Sequence, residues 1–223
     1  MAEVYGVKPK KFTKEWWPYY WMYYKWHTII IGFFSISTIV SVAQCAMKEH
    51  YDLNVVYAGS GYYADDTTAA LADKLKDAAI DSDGDGEVKV WVEQINFSKG
   101  GAKSELDYNM QTKHDIEMSA DTYRLYLYDR AEADIMLNRE DTALMYTAVA
   151  DWAKTEPSED MLLYGSDGAA YMVNLKDSAV LGDIGMDASD LYVAVSRTSS
   201  EEELAQNAHK GAVSCANLLV FGE

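Results

Sequence analysis

The chain has 223 residues, 19 Lys+Arg against 36 Asp+Glu, and 49% hydrophobic residues. That leaves room for one domain with its own core, and the composition is too apolar for whole-chain disorder. A formal net charge of −17 argues against a nucleic-acid partner, and two cysteines, Cys45 and Cys215, exclude a disulfide scaffold or a thiolate zinc site.

Residues 1–27 form a basic, aromatic lead. Lys8, Lys10, Lys11, Lys14 and Lys25 are opposed only by Glu3 and Glu15, and eight Trp and Tyr residues crowd between Trp16 and Trp26. From Thr28 to Met47 there is no charge, and five Ile, two Val and two Phe supply the apolar content. As a helix this stretch spans about 30 Å, the thickness of a bilayer's hydrocarbon core. Each strongly apolar residue favours insertion by roughly 0.3–0.6 kcal/mol, and the rings suit the headgroup layer. The excess of lysine before the span predicts a cytoplasmic N-terminus, with a lipid bilayer as the partner of Thr28–Met47. Ser35, Ser37 and Ser41 are candidates for hydroxyl bonds back to helix carbonyls. Two alternatives stay open. Val42–Cys45 is similar to a lipoprotein cleavage box, which would place a lipid on Cys45, and Ala43–Ala46 offers small residues for signal-peptide cleavage.

The remainder, residues 51–223, carries 13 Lys+Arg and 33 Asp+Glu, a net charge of −20. Leu53–Tyr57 reads as a buried strand running into Gly59-Ser60-Gly61. Asp65 or Asp66 is placed to cap a helix bearing Leu71 and Leu75. Val88, Val90 and Val92 alternate with polar neighbours as a second strand, Ser104–Met118 reads as a helix, and Tyr123–Tyr128 as a third strand. Helical pieces follow near Arg130–Leu137 and Thr142–Lys154, then strands at Ala169–Leu175 and Leu191–Ser196. The last helix opens with Ser199 and Ser200 three residues ahead of Glu202 and Glu203, a capping-box pattern, and puts Leu204, Ala208, Cys215 and Leu219 on one face. Helices between successive strands require crossovers. The expected fold is therefore α/β: a transmembrane helix at 28–47, then one three-layer α/β domain at 51–223 with a mostly parallel sheet.

The sharpest chemical signal is Asp81-Ser82-Asp83-Gly84-Asp85-Gly86-Glu87. Carboxylates at positions 1, 3 and 5 with glycine at 6 match the opening of a calcium loop, and Glu87 stands where a backbone carbonyl is supplied. Position 12, where a bidentate Glu belongs, is Val92, and a strand follows. A calcium ion held by Asp81, Asp83, Asp85 and Glu87 would thus be structural; a solvated Asp/Gly turn without metal is the competing reading. A second candidate is the strand-end pair of Gly59, Ser60 and Gly61 with Asp129 and Arg130, where parallel sheets receive ligands. Against it, GSG is no phosphate-loop match. His27, His50, His114 and His209 show no ligand spacing, Cys215 falls on an apolar helix face, and carboxylate pairs such as Glu132/Asp134 carry no signal at this composition. No catalytic residue is assigned.

The Trp16–Trp26 lead, Tyr51–Gly59, Asp81–Gly86, Met110–Lys113 and Tyr123–Tyr128 together resemble a group of uncharacterised membrane-anchored proteins of Gram-positive gut bacteria. The resemblance covers about residues 16–135 and brings no assigned ligand or catalytic residue. It implies an outer domain similar to one lobe of a type 2 periplasmic binding protein, and the chain is short for a two-lobed receptor. The expectation is a single-pass cell-membrane protein displaying a non-enzymatic, extracytoplasmic binding domain to a protein partner at the cell surface. A small-solute receptor is the alternative, and an enzyme without a recognisable motif the remote one.

Overall fold

The apolar stretch behind the aromatic lead is one uninterrupted helix in the computed structural model, which describes residues 9–46, 50–98, 103–198 and 200–222. The chain divides into two units, Met1–Glu49 and His50–Glu223.

In the first unit, helix α1 runs from Trp16 to Ala46. Pro18 falls in its first turn, where no intrahelical N–H is required. The rings of the lead are already helical and meet at i,i+4 spacing: Trp16 on Tyr20 at 4.8 Å, Tyr20 on Tyr24 at 5.5 Å, Tyr19 on Tyr23 at 4.9 Å. Beyond them α1 has no polar stripe. Ile31, Phe33, Phe34, Ile36 and Ile39 are all exposed, so the helix is apolar around its circumference. Thr28 and Thr38 donate their hydroxyls to the carbonyls of Tyr24 (3.1 Å) and Phe34 (2.8 Å). One apolar window within Trp16–Gln44 is long enough to cross a membrane. Met47, and the side chain of Cys45, lie outside the described residues.

The second unit is a mixed α/β structure on a six-stranded sheet. Its elements are β1 (Leu53–Gly59), α2 (Asp65–Lys76), β2 (Val90–Asn96), α3 (Glu105–Ser119), β3 (Leu125–Asp129), α4 (Arg130–Leu137), α5 (Thr142–Met145), α6 (Val149–Trp152), β4 (Leu162–Tyr164), β5 (Ala170–Asn174), α7 (Ala179–Asp183), β6 (Leu191–Val195) and α8 (Glu203–Phe221). Strand order is β2-β1-β3-β6-β5-β4. β1 pairs in parallel with both β2 and β3, as the alternation of strands and helices predicts. The other half is antiparallel, so the sheet is mixed. There the connection from β4 to β5 is a short hairpin with Gly168 at φ +81°, and so short a return admits only antiparallel pairing. β4 and α7 are absent from the sequence expectation.

Alternate residues of the central strands face opposite ways into two apolar clusters. Leu53, Val55 and Tyr57 of β1, Leu125 and Leu127 of β3, and Val193 of β6 join Leu71 and Leu75 of α2 and Cys215 and Leu219 of α8. Val56, Ala58, Tyr126, Tyr128 and Ala194 face Ala133, Met136 and Leu137 of α4 with Tyr146. Tyr146 also explains why Thr142–Lys154 is two short helices. It bridges Ser196, Thr147 N–H donates to the Val195 carbonyl at 2.9 Å, and this pairing interrupts the helix.

Two caps differ from expectation. The N-cap of α2 is Ala64, without a side-chain bond, and Asp65 and Asp66 sit in the first turn, where they favour the positive end of the dipole. The N-cap of α8 is Glu202; Ser200 Oγ accepts from Glu202 N–H at 3.2 Å in place of a capping box, and Ser199 lies outside the described residues.

Candidate functional site

The chain leaves β1 toward β2 on one side and later returns to β3 on the other. This topology brings the carboxyl ends of β1 and β3 together, where open α/β sheets receive ligands. Gly59, Ser60 and Gly61 do meet Asp129 there. The contact closes the site: Asp129 Oδ2 accepts from Ser60 N–H (2.7 Å) and Ser60 Oγ–H (2.8 Å), while Oδ1 accepts from Glu132 N–H (2.9 Å) as the N-cap of α4. Gly61 N–H donates to the Tyr57 hydroxyl at 2.8 Å, and Asn96 Nδ2 donates to the Gly61 carbonyl. The amides that would cradle a ligand thus bind the protein's own side chains. Gly59 is required for this approach, since a Cβ would stand 2.6 Å from the Tyr57 oxygen and 2.9 Å from Asp129. Arg130 points elsewhere. Its Nε donates to both Asp134 oxygens (2.9 and 3.0 Å), Nη1 to the Tyr192 hydroxyl (3.2 Å), and its guanidinium lies 5.7 Å from the Tyr192 ring centre.

The acidic loop is a turn built on Asp side chains and two glycines. Gly84 and Gly86 adopt φ of +77° and +88°, and carboxylate oxygens of Asp81, Asp83 and Asp85 lie within 4.8 Å of one another. Asp81 accepts from the N–H groups of Gly84 (2.6 Å) and Gly86 (2.9 Å), Asp83 from Asp85 N–H (3.0 Å), and Asp85 from Glu87 N–H (2.8 Å). Lys89 supplies positive charge from within the chain, its Nζ 2.8 Å from Asp85 and 3.4 Å from Glu87; His50 Nδ1 stands 3.5 Å from Asp83. The Lys89 ammonium holds the Asp85 carboxyl below its usual range. Glu87 therefore directs its side chain to Lys89. Val92 lies in β2, and the neighbouring Glu93 is engaged with Lys113 and Tyr123.

A third group escaped the sequence reading. Tyr126 and Tyr128 stack at 5.7 Å, Tyr146 meets both edge-on, and the His114 ring stands edge-on to the same pair. A hydroxyl chain connects them, with Tyr128 OH 2.8 Å from Tyr146 OH and 3.2 Å from His114 Nε2. Beside them Glu132 is 5% exposed, and its Oε1 has no hydrogen-bond partner among the described residues. Burial, reinforced by the charges of Asp129 and Asp115, pushes the Glu132 carboxyl up to about 7 against the opposing pull of Arg139. Burial likewise brings His114 down to about 4. The legible signal was periodic: Glu132 shares a helix face with Ala133, Met136 and Leu137, and His114 stands at i+4 from Met110 and i−4 from Met118.

The chain matches no family model, no curated protein and no solved structure.

Two predictions follow from this geometry. Gly59→Ala forces the Tyr57 hydroxyl and Asp129 apart and lowers stability by about 1–3 kcal/mol, measured by urea denaturation of the full chain in detergent micelles; an unchanged midpoint would show that the crevice is not close-packed.

The second concerns pH. Below about pH 4.5 the Glu132 carboxyl is protonated whether the chain is folded or not; between there and about 7 only the folded chain keeps the proton. Its contribution to stability therefore falls as pH rises through that window and is level above it. His114 acts oppositely, with stability gained between about 4 and 6.5 because only the unfolded imidazole is charged there. Glu132→Gln should remove the falling component. The variant then gains stability with pH more steeply than the parent from 4.5 to 6.5 and is the more stable at pH 8, and identical pH slopes would refute the assignment.

Proposed function

We propose that this chain is a single-pass membrane protein that holds a non-enzymatic, three-layer α/β interaction domain outside the cytoplasm. The observation that carries the reading is α1, whose uncharged stretch is exposed around its whole circumference and preceded by rings and lysines suited to an interface. A soluble chain would leave that apolar surface in water, at a cost of roughly 25 cal/mol for every Å². Three layers are supported by the division of the core, with α2 and α8 contributing to one apolar cluster and α4 to the other.

A binding role is favoured over a catalytic one by the way the strand ends are closed. Asp129 occupies the crevice, and the acid–base groups Glu132 and His114 are buried. The same closure weighs against the small-solute receptor that the likeness to a periplasmic binding-protein lobe implies, because a solute at Gly59–Gly61 would first have to displace Asp129. Exposed rings such as Tyr62 and Trp91 suit protein contact.

The orientation is tested with the full-length chain carrying a C-terminal tag. Protease added to intact cells should remove the tag while the N-terminal lead stays protected. A protected tag, or a chain recovered in the water-soluble fraction, would overturn the reading.

Calcium in the Asp81–Glu87 loop belongs to the same proposal, as an ion that fixes the turn. It is supported by three converging carboxylates, and Lys89 is its competitor. Calorimetry on the full chain in micelles should show heat at millimolar calcium that disappears in Asp83→Asn, with several-fold tighter binding in Lys89→Met. Absence of heat in all three proteins would leave the loop as a plain turn.

A further inference from the structure

The two edges of the sheet are protected unequally. β4 has three residues and a register shift, which makes it a poor template for another strand. β2 has seven residues, no proline and no register shift, and among the described residues no strand lies beyond it. Its pairing with β1 uses one parity of residues: the Lys89 carbonyl accepts from Leu53 N–H (3.3 Å), and Phe97 N–H donates to the Gly59 carbonyl (2.9 Å). In a parallel ladder both backbone groups of a residue point the same way. Val90, Val92, Gln94 and Asn96 therefore turn their N–H and C=O groups outward. Charge does not guard this edge either, since the Glu93 side chain is held by Lys113 and Tyr123.

Along the open edge runs a groove of about 750 Å³ between β2 and α2. Asp65, Ala69, Ala72 and Asp73 supply its helical wall, and Tyr62 and Trp91 its exposed rings. The wall from Asp65 to Lys76 is about 16 Å long, enough for roughly five residues of extended chain. The groove's own shape is fixed, because Gln94 clamps Tyr63 by accepting from its N–H (2.7 Å) and donating to its carbonyl (3.2 Å).

We propose that the groove between α2 and the free edge of β2 receives an extended, lysine- or arginine-bearing segment of another protein, which adds a seventh strand beside β2. Main-chain bonds to the outward groups would supply affinity, and the groove would read alternate side chains. Charge selects the occupant. Asp65, Asp73 and Glu93 line the groove with Lys76; Asp73 is paired with Lys76 at 2.7 Å and Glu93 with Lys113, so Asp65 is the lining acid that makes no ion pair among the described residues. The domain around it carries −20, which repels a second copy and attracts a basic chain. The inference rests on the domain being an interaction module; it is measured in micelles, so a failed topology test does not touch it.

The probe is a fluorescent heptapeptide alternating Lys and Val, titrated by anisotropy against the full chain in uncharged detergent micelles, with empty micelles as the control. Binding specific to the protein is expected. N-methylation of alternate residues, which leaves charge and side chains but removes strand hydrogen bonds, should weaken it at least tenfold, as should replacing Lys by Glu. Ala69→Arg, at an exposed position on the groove wall, should have a similar effect without disturbing the core; Val92→Pro, which removes one outward N–H, is the second variant. Equal binding of the methylated peptide would reduce the attraction to diffuse charge and overturn the proposal. So would the absence of binding at millimolar peptide, or sedimentation as a dimer that Ala69→Arg dissociates, which would make the occupant a second copy.

Discussion

Buried carboxylates bonded to backbone amides hold the parallel half of the sheet together. Parallel strands have no hairpin to set their register, so their long connections must be fixed by other means. Three aspartates do this at three junctions. Asp52, at the entrance to β1, accepts from Ser82 N–H (2.6 Å), Ser82 Oγ–H (2.8 Å) and Lys89 N–H (2.8 Å), tying down the loop before β2. Asp107 accepts from the N–H groups of Ser98 (2.9 Å), Lys103 (3.0 Å) and Ser104 (2.9 Å), joining the exit of β2 to the start of α3. Asp129 joins β3 to β1. Burial works to raise the Asp52 pKa, but the amides outweigh it and hold the carboxyl below its usual range; at Asp107 the Ser104 hydroxyl and the amides do the same. Asp52 and Asp107 stay ionised because the amides replace the water they have lost.

The functional consequence is one of exclusion. A carboxylate that fastens the β1 and β3 ends also fills the place where a ligand would sit, so the most familiar position for a site in this topology is used for stability. Chemistry is confined likewise in the tyrosine cluster. Glu132 and His114 are both buried and both biased toward the neutral form, and rings stand edge-on to His114. Their opposed titrations make the cluster's effect on stability a difference between two slopes. Accessible features among the described residues include the acidic turn, exposed rings and the open edge of β2.

Much of the fold was legible where local pattern and tertiary demand agree. β1 and β3 are largely apolar or aromatic runs buried on both faces, and α4 covers the helical piece expected at Arg130–Leu137. Legibility failed where a distant contact decides. Thr142–Lys154 has helical spacing, but Tyr146 is worth more inside the ring cluster than in a continuous helix, and Ser196 lies fifty residues away. β4 is too short for any periodicity to register. At the candidate site Gly59, Ser60 and Gly61 do stand beside Asp129, with Arg130 turned to Asp134, yet residue types alone do not distinguish a carboxylate that binds a ligand from one that binds its own loop. Glu132 was hidden for a compositional reason: among 36 acidic residues, one buried carboxyl has no distinguishing mark except its place on an apolar helix face.

An unguarded edge strand is ordinarily a hazard, because its free amides accept a copy of themselves as readily as a partner. Here the guard is collective rather than local. Two domains approaching edge to edge would each bring a charge of −20. Repulsion of this kind is long-ranged at low salt and screened within about 10 Å at 0.1 M. It therefore acts most strongly on surfaces that must come close over a large area, as two domains must, and least on a narrow chain that lies along the groove. A basic strand meets attraction from the same field. A charge distribution that looks uninformative as a property of the whole surface thus becomes selective along the edge of β2, where the backbone is left open.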